Sequence, residues 1–268
     1  MSKRYFVTSD IHGYFSIFKK ELDKVGFNIE DKNHYLIICG DVIDRGQEVK
    51  QLLDWLIDFN KTGRLIFIKG NHEYLIKDCL EELNNGYRIS PHHISNGTIN
   101  TISQLSGINQ LDLQMGTYDV KKLNKKLKPY LDFIDTAIHY YELDDYIFVH
   151  GWVPYVLHDS HDPTQQEGEF SCVMVPEIEL NAEDFMWEQA SWYNGMEEWK
   201  SVVAIPNKTI VCGHWHCSFG NFHYHNKGFG EFEDTSDFSP FVDNGIIAID
   251  ACTAFSGKIN IIVIDKPL

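Results

Sequence analysis

The stretch Cys39–Gly46, CGDVIDRG, decides how the rest of the chain is read. It ends an apolar run, His34–Cys39 (HYLIIC), and precedes a segment with helical periodicity. Two aspartates and an arginine are thereby packed into a glycine-bracketed turn at the mouth of a buried strand. Strand propensity does not select such residues, so the turn calls for a chemical reason.

The same alternation continues on both sides of that turn. Arg4–Ser9 (RYFVTS) reads as a strand and Tyr14–Gly26 as an amphipathic helix. Gln47–Gly63 reads as a second helix, Arg64–Lys69 (RLIFIK) as a third strand and His72–Gly86 as a third helix. Apolar strands joined by helices predict a largely parallel sheet with right-handed crossovers. Residues 87–136 are polar and helical, most clearly over 119–135, and are expected to form a helical cap inserted into one domain spanning 1–268. Ala137–His150 predicts a hairpin turning at Asp144–Asp145, and Lys208–His214, Gly245–Ala251 and Lys258–Asp265 predict three late strands. Gly151–Leu180 and Ser218–Asn244 show no clear period and read as long covering or functional loops. The fold class is α/β with a two-sheet core.

Composition narrows the function classes. The chain has 268 residues, 43% of them apolar, which is enough for a sizeable core. A net charge of −16 argues against a nucleic-acid binder working through a general basic surface. Six cysteines occur with no CxxC pair, and the opening MSKRYFVTSD has no secretory signature, so reduced thiols and a cytoplasmic location are expected. Cys212 and Cys217 fit no zinc-knuckle spacing and read as packing residues. No apolar run is long enough to span a membrane.

Five strand ends carry polar residues. The first is SDIHG with Asp10 and His12, the second GDVIDRG with Asp41, Asp44 and Arg45, and the third GNHE with Asn71 and His72. FVHGW adds His150, and VCGHWH adds His214 and His216. In open α/β sheets, ligands gather outside the carboxyl ends of the strands. Any one of these residues alone would be read as a turn, a helix cap or a satisfied core histidine. Their joint occurrence at strand ends overturns that reading. His34, His92, His93, His139, His158, His161, His223 and His225 lack the context and read as bystanders. Asp, Asn and His without cysteine form an oxygen and nitrogen ligand set suited to manganese, iron or zinc rather than calcium. Two ions need one shared carboxylate, and Asp41 at the end of the second strand is placed for it. Two cations about 3.5–4 Å apart clamp an oxyanion and generate hydroxide near neutral pH. Asp44 and Arg45 then serve the substrate side, with the Arg45 fork binding phosphate oxygens.

These motifs resemble the calcineurin-like metallophosphoesterases, and more narrowly their PPP-type serine/threonine phosphatase branch of the bacterial and phage-lambda type. The resemblance spans Asp10 to His214 and implies a β-sandwich flanked by helices with a dinuclear centre on one edge. It assigns Asp10, His12 and Asp41 to a first divalent ion, and Asp41, Asn71, His150 and His214 to a second, with manganese the expected ion in vitro. His72 resembles the general acid, Asp44 its orienting partner, and Arg45 and Asn71 the phosphate contacts. His216 corresponds to the second histidine of the superfamily's GHxH motif, a further ligand of the first metal. The implied substrate is a phosphate monoester, on a phosphorylated protein or a small molecule. A symmetrical dinucleoside tetraphosphatase shares a similar motif set and is the alternative, with aromatic residues of FGNFHYHNKGFGEF (Phe219–Phe232) available to stack on bases. Retention of every ligand and of His72 weighs against a catalytically silent scaffold, and the acidic balance weighs against a nuclease. The chain departs from the branch in two places. No arginine follows Arg88, so a second phosphate-binding arginine is missing, and near Trp187 only Glu188 and Gln189 are at hand, leaving Lys200 or Lys208 as candidate cations. HGW also places Trp152 where the branch has a small residue, so Trp152 is expected to border the metal pocket.

Overall fold

Leu36–Cys39 is buried without a break, as a continuous apolar run demands of a central parallel strand. The structure is a computed structural model and describes residues 2–159, 174–201, 205 and 207–267. The first half alternates strand and helix: β1 (Ser2–Thr8), α1 (Phe15–Lys24), β2 (His34–Cys39), α2 (Val49–Asn60), β3 (Leu65–Ile68) and α3 (Asn71–Asn85). Four helices follow: α4 (Pro91–Ser95), α5 (Thr98–Ser106), α6 (Gln110–Met115) and α7 (Val120–Ile134). The second half runs β4 (Tyr141–Leu143), β5 (Tyr146–Phe148), β6 (Tyr155–Asp159), β7 (Met174–Ile178), α8 (Asp184–Ala190), α9 (Gly195–Ser201), β8 (Thr209–Cys212), α10 (Cys217–His225), β9 (Phe241–Asp243), β10 (Ile246–Ala248), α11 (Thr253–Ser256) and β11 (Ile262–Pro267).

Two sheets form the centre, ordered β11-β1-β2-β3 and β4-β5-β8-β10-β9. β1, β2 and β3 are mutually parallel, as are β5, β8 and β10, while β11, β4 and β9 close the edges antiparallel. The two-residue period of each strand assigns its side chains to layers. Tyr5, Val7, Ile37, Cys39 and Ile68 meet Phe148, Val211 and Ile249 between the sheets. Phe6, Leu36 and Ile38 point the other way, into a core shared with the helices of the first half. Ile147, Val149, Ile210 and Cys212 face a third cluster containing Trp152, Trp187, Met196 and Phe241. This is the two-sheet sandwich flanked by helices that the sequence implies.

Most element ends fall within two residues of the sequence reading, and the hairpin turns where expected, with Asp144 left-handed at φ +48°. α7 buries Leu123, Leu127, Tyr130, Phe133 and Ile134, an amphipathic stripe, and Asp119 caps its start by accepting from Lys122 N–H. That stripe enters the same core as α1 and α2. The two stretches read as loops are more ordered than expected. Gly151–Leu180 contains β6 and β7, paired as an antiparallel ribbon, while residues 160–173, including His161 and Cys172, lie outside the described residues, as does the side chain of His158. Ser218–Asn244 contains α10 and β9. The buried face of α10 consists of Cys217, Ser218, Gly220 and Asn221, so large apolar residues do not mark its period. Among the described residues no helix is long and apolar enough to cross a membrane.

Ile37 is fully buried between the sheets, whereas Phe229 is 77% exposed. Ile37→Ala is expected to destabilise the protein by about 2–5 kcal/mol in urea titrations. Phe229→Ala should stay within about 0.5 kcal/mol of the parent.

Candidate metal centre

Because β1, β2 and β3 run parallel, their carboxyl ends deliver three loops to one edge of the sandwich. The first two loops are bonded along their backbones: Asp10 N–H to Gly40 O (3.1 Å), His12 N–H to Asp41 O (3.0 Å), Gly13 N–H to Val42 O (2.9 Å) and Gly46 N–H to His12 O (2.8 Å). The second sheet adds its own pair, with Gly213 N–H on His150 O at 2.7 Å. Ten non-glycine residues among those described have positive φ, and six of them are Asp10, His12, Asp41, Asp44, Arg45 and His214. Such backbone costs on the order of 1–3 kcal/mol per residue, so its concentration here marks a functional edge. Gly40, at φ +83°, is required for a second reason: a Cβ there would lie 2.5 Å from His150 Nδ1.

Two of the imidazoles are oriented by carbonyls. His12 Nδ1 donates to Ile43 O at 2.8 Å and His150 Nδ1 to Cys39 O at 2.7 Å. A carbonyl only accepts, so these bonds place a proton on Nδ1 and turn each Nε2 toward the carboxylates, as the carbonyls behind metal-binding histidines do. His12 Nε2 lies 3.6 Å from Asp41 Oδ2 and 3.9 Å from Asp10 Oδ1. His150 Nε2 lies 3.3 Å from Asp41 Oδ1 and 2.9 Å from Asn71 Oδ1. Asp41 therefore belongs to two groups that could hold an ion, His12–Asp41–His72 and Asp41–His150–His214. Asp10 adjoins both, accepting from His214 N–H at 3.0 Å. Asp10 and Asp41 are buried, and among the described residues their ion-pair partners are imidazoles alone. Buried carboxylates facing imidazole Nε2 atoms, with no lysine or arginine between them, fit divalent cations.

The electrostatics agree. Burial would raise the Asp41 pKa, but the imidazoles of His150, His72 and His12 hold it well below the usual carboxylate range. Burial disfavours the charged form of His150, yet the Asp41 carboxylate and the hydrogen bond to it lift His150 to about 10. His214 is pushed down to about 3 by burial and by the charge on His150, leaving a neutral imidazole.

Asn71 and His72, consecutive at the start of α3, face different neighbours. Asn71 turns toward His150, whereas His72 Nδ1 lies 2.7 Å from Asp44 Oδ2 and its Nε2 3.7 Å from Asp41 Oδ2. Burial opposes charge on His72, but Asp41 and the Asp44 hydrogen bond outweigh it and raise its pKa. Arg45 is exposed at the rim, close enough for its charge to act on His12, His72 and His214. His216 is held elsewhere: its Nε2 lies 2.7 Å from Glu231 Oε2, and it belongs to neither group. Trp152 is buried in the core behind the second sheet, and the tryptophans beside the site are Trp192 and Trp215, whose rings stand 5.9 and 6.0 Å from that of His214. Trp192 also meets His92, a residue read as a bystander, at 6.0 Å. Neither candidate lysine is turned to the site: Lys200 lies over the rings of Trp199 and Tyr224, and Lys208 bonds Glu142 and Asp144.

Sequence reading missed Glu73. Its fully buried carboxylate accepts from Asp41 N–H (2.9 Å), Val42 N–H (3.0 Å) and Gly70 N–H (2.8 Å), joining the second loop to the third. Burial and the Asp41 charge push it up to about 7 against the pull of those donors. The available signal was a carboxylate three residues after Gly70 at a helix start, the spacing of a capping box. Asp250 is also buried and accepts from Cys252 N–H at 2.7 Å, and burial together with the Asp10 charge raises its pKa well above normal.

Two outcomes follow from this geometry. Glu73→Gln leaves fewer acceptor sites for the three N–H groups and should cost about 1–3 kcal/mol per unpaired donor, with weaker metal retention read by elemental analysis. A divalent ion bound at Asp41 and His150 is expected to displace a proton from the His150 imidazole, which its carboxylate neighbour raises to about 10. Calorimetry in buffers of differing ionisation enthalpy should therefore report proton release, and affinity should rise with pH.

Comparison with known proteins places this geometry. The calcineurin-like phosphoesterase model matches residues 3–218. A symmetrical bis(5'-nucleosyl)-tetraphosphatase of Buchnera aphidicola subsp. Schizaphis graminum is 41% identical over 69 residues, covering 26% of this chain and 23% of that protein. The enzyme of the same description from Wigglesworthia glossinidia brevipalpis is 40% identical over 70 residues, covering 26% and 24%. The matches thus span about a quarter of the length of these curated relatives. Among solved structures, the cold-active protein-tyrosine phosphatase of a psychrophilic Shewanella species superposes with a TM-score of 0.52 at 14% identity, over 97% of this chain and 75% of that one, a likeness of fold alone. With the family model running through all five strand-end motifs, this chain belongs to the calcineurin-like phosphoesterases.

Proposed function

We propose that this chain hydrolyses phosphate monoesters, on phosphoserine or phosphothreonine of proteins or on small molecules, at a dinuclear centre. Asp10, His12 and Asp41 hold one divalent ion, and Asp41, Asn71, His150 and His214 the other. The observation that carries this reading is the placement of His72, anchored at Nδ1 by Asp44 with Nε2 facing the shared Asp41. The ions, when bound, supply Lewis-acid charge and lower the pKa of water. The chain's own residues do the rest. Arg45 and the Asn71 amide orient the phosphoryl oxygens, and His72 gives a proton to the leaving oxygen while Asp44 steadies the resulting change of charge. With one arginine at the rim, more of the phosphate charge falls to the cations. The five free cysteines among the described residues fit a reducing, cytoplasmic setting, and the acidic charge disfavours nucleic acid as substrate.

A second reading, hydrolysis of dinucleoside tetraphosphates, draws support from the identity to symmetrical tetraphosphatases and from the exposed Trp192 and His92 beside His214, whose rings offer surfaces for a base. Assay of the manganese-loaded protein on a phosphoserine peptide, p-nitrophenyl phosphate and diadenosine tetraphosphate separates the two. The first reading expects metal-dependent turnover of the monoesters, and preferential release of ADP from the tetraphosphate would replace it with the second. Arg45→Ala should raise KM for each ester and leave metal content unchanged, since Arg45 supplies none of the proposed metal ligands. His72→Asn should also keep its metal, and loss of an ion from that variant would make His72 a ligand rather than an acid.

A further inference from the structure

The helical insertion reaches into the acid side of the site through α5. Asp44 is fully buried, and three groups engage its carboxylate. His72 Nδ1 and Thr98 Oγ1 lie 2.7 and 2.8 Å from Oδ2, and Thr101 Oγ1 lies 2.7 Å from Oδ1. The Thr101 hydroxyl also accepts from Asp44 N–H at 3.0 Å, so it holds both the carboxylate and the backbone of that residue. Thr98 and Thr101 are fully buried and stand three positions apart on one helix face. The rest of that face grips the same turn. Asn100 Nδ2 and Gln104 Nε2 donate to Gly46 O at 3.1 and 2.9 Å, and Gln104 Oε1 accepts from Val49 N–H at 2.9 Å. Gly97 packs on the turn so closely that a Cβ would lie 2.6 Å from Arg45 N. The turn itself holds two successive non-glycine residues in left-handed backbone, Asp44 at φ +70° and Arg45 at φ +60°. Local sequence does not favour that conformation, and α5 bonds to it at Asp44, Gly46 and Val49.

We propose that Thr98 and Thr101 are positioning residues of the reaction: their hydroxyls fix the Asp44 carboxylate, and through it the His72 imidazole, in the orientation from which Nε2 protonates the leaving oxygen. The chemistry follows from the bonding. A carboxylate with one oxygen taken by Thr101 and the other shared by Thr98 and His72 cannot rotate without losing a buried hydrogen bond. His72 Nδ1 then keeps its proton on Asp44, and Nε2 is the nitrogen presented to substrate. Valine retains the shape of threonine but removes these donors, whereas serine retains them.

This inference rests on the acid role assigned to His72, and the experiment separates the two. Thr98→Val, Thr101→Val and their double variant are compared with His72→Asn on p-nitrophenyl phosphate, whose leaving group needs little protonation, and on β-glycerophosphate, whose alkoxide needs a proton. Metal content and circular dichroism are measured alongside, and the single variants carry the test if the double variant folds poorly. General acid catalysis contributes roughly 10²–10⁴-fold, so disturbing its geometry should remove about tenfold more activity on the alkyl ester than on the nitrophenyl ester. Thr101→Ser should restore most of it. If His72→Asn shows the leaving-group dependence and the valine variants lose both activities equally or neither, the threonines are structural and the proposal falls alone. If His72→Asn itself loses both equally, the acid role falls and takes the proposal with it.

Discussion

The site depends on the buried carboxylate of Asp41. It lies at 1% exposure, within 3.7 Å of nitrogens from His12, His72 and His150, and accepts the His72 backbone N–H at the start of α3 at 3.0 Å. A carboxylate buried this deeply stays ionised only in a strongly favourable field, supplied here by three imidazoles and a helix N-terminus. The same charge governs its neighbours, lifting His150 and His72 and helping to push up Glu73. An ion on either side of Asp41 would take over work that protonated histidine performs in the free chain.

Holding that carboxylate in place requires backbone that the chain does not adopt unaided. Six left-handed non-glycine residues lie in the motif loops, and each loop is tied to another by main-chain bonds or by Glu73. The strain and the ties explain each other. A parallel sheet brings the loops to one edge, but the turns must then fold back over their own strand ends to aim short aspartate side chains at a common point. Glu73 spans three amides with one carboxylate, which a neutral amide side chain could not do.

The two halves of the molecule meet at this edge for a simple reason of layering. The core between the sheets comprises Tyr5, Val7, Ile37, Cys39 and Ile68 facing Phe148, Val211 and Ile249, so the ends of β5 and β8 stand beside those of β1 and β2. His150 and His214 then stand beside Asp10, Asp41 and Asn71. α5, α6 and α7 share a core with α1 and α2, and this anchors α5 beside the Asp44 turn.

Strand and helix alternation, the two-sheet class and the gathering of the strand-end motifs at one edge were legible in the sequence. Those features are written in local patterns: continuous apolar runs for buried strands, polar residues with glycines at their ends, and amphipathic stripes for helices. It also separated Asn71 from His72, because consecutive helical residues point about 100° apart. Tertiary structure alone decided the rest. Nothing local in Thr98, Thr101, His92 or Trp192 signals that they stand beside residues 50 or more positions away. α10 was hidden because its buried face is small and polar, and the ribbon of β6 and β7 because its strands pair across a long gap. His216 followed a motif into the ligand set, yet the loop that follows α10 brings Glu231 within 2.7 Å of it. Side-chain chemistry is legible where the backbone pattern dictates direction. Which distant groups share a buried carboxylate is settled only when the layers pack, since hydrogen bonds must then be satisfied from whatever the fold places nearby.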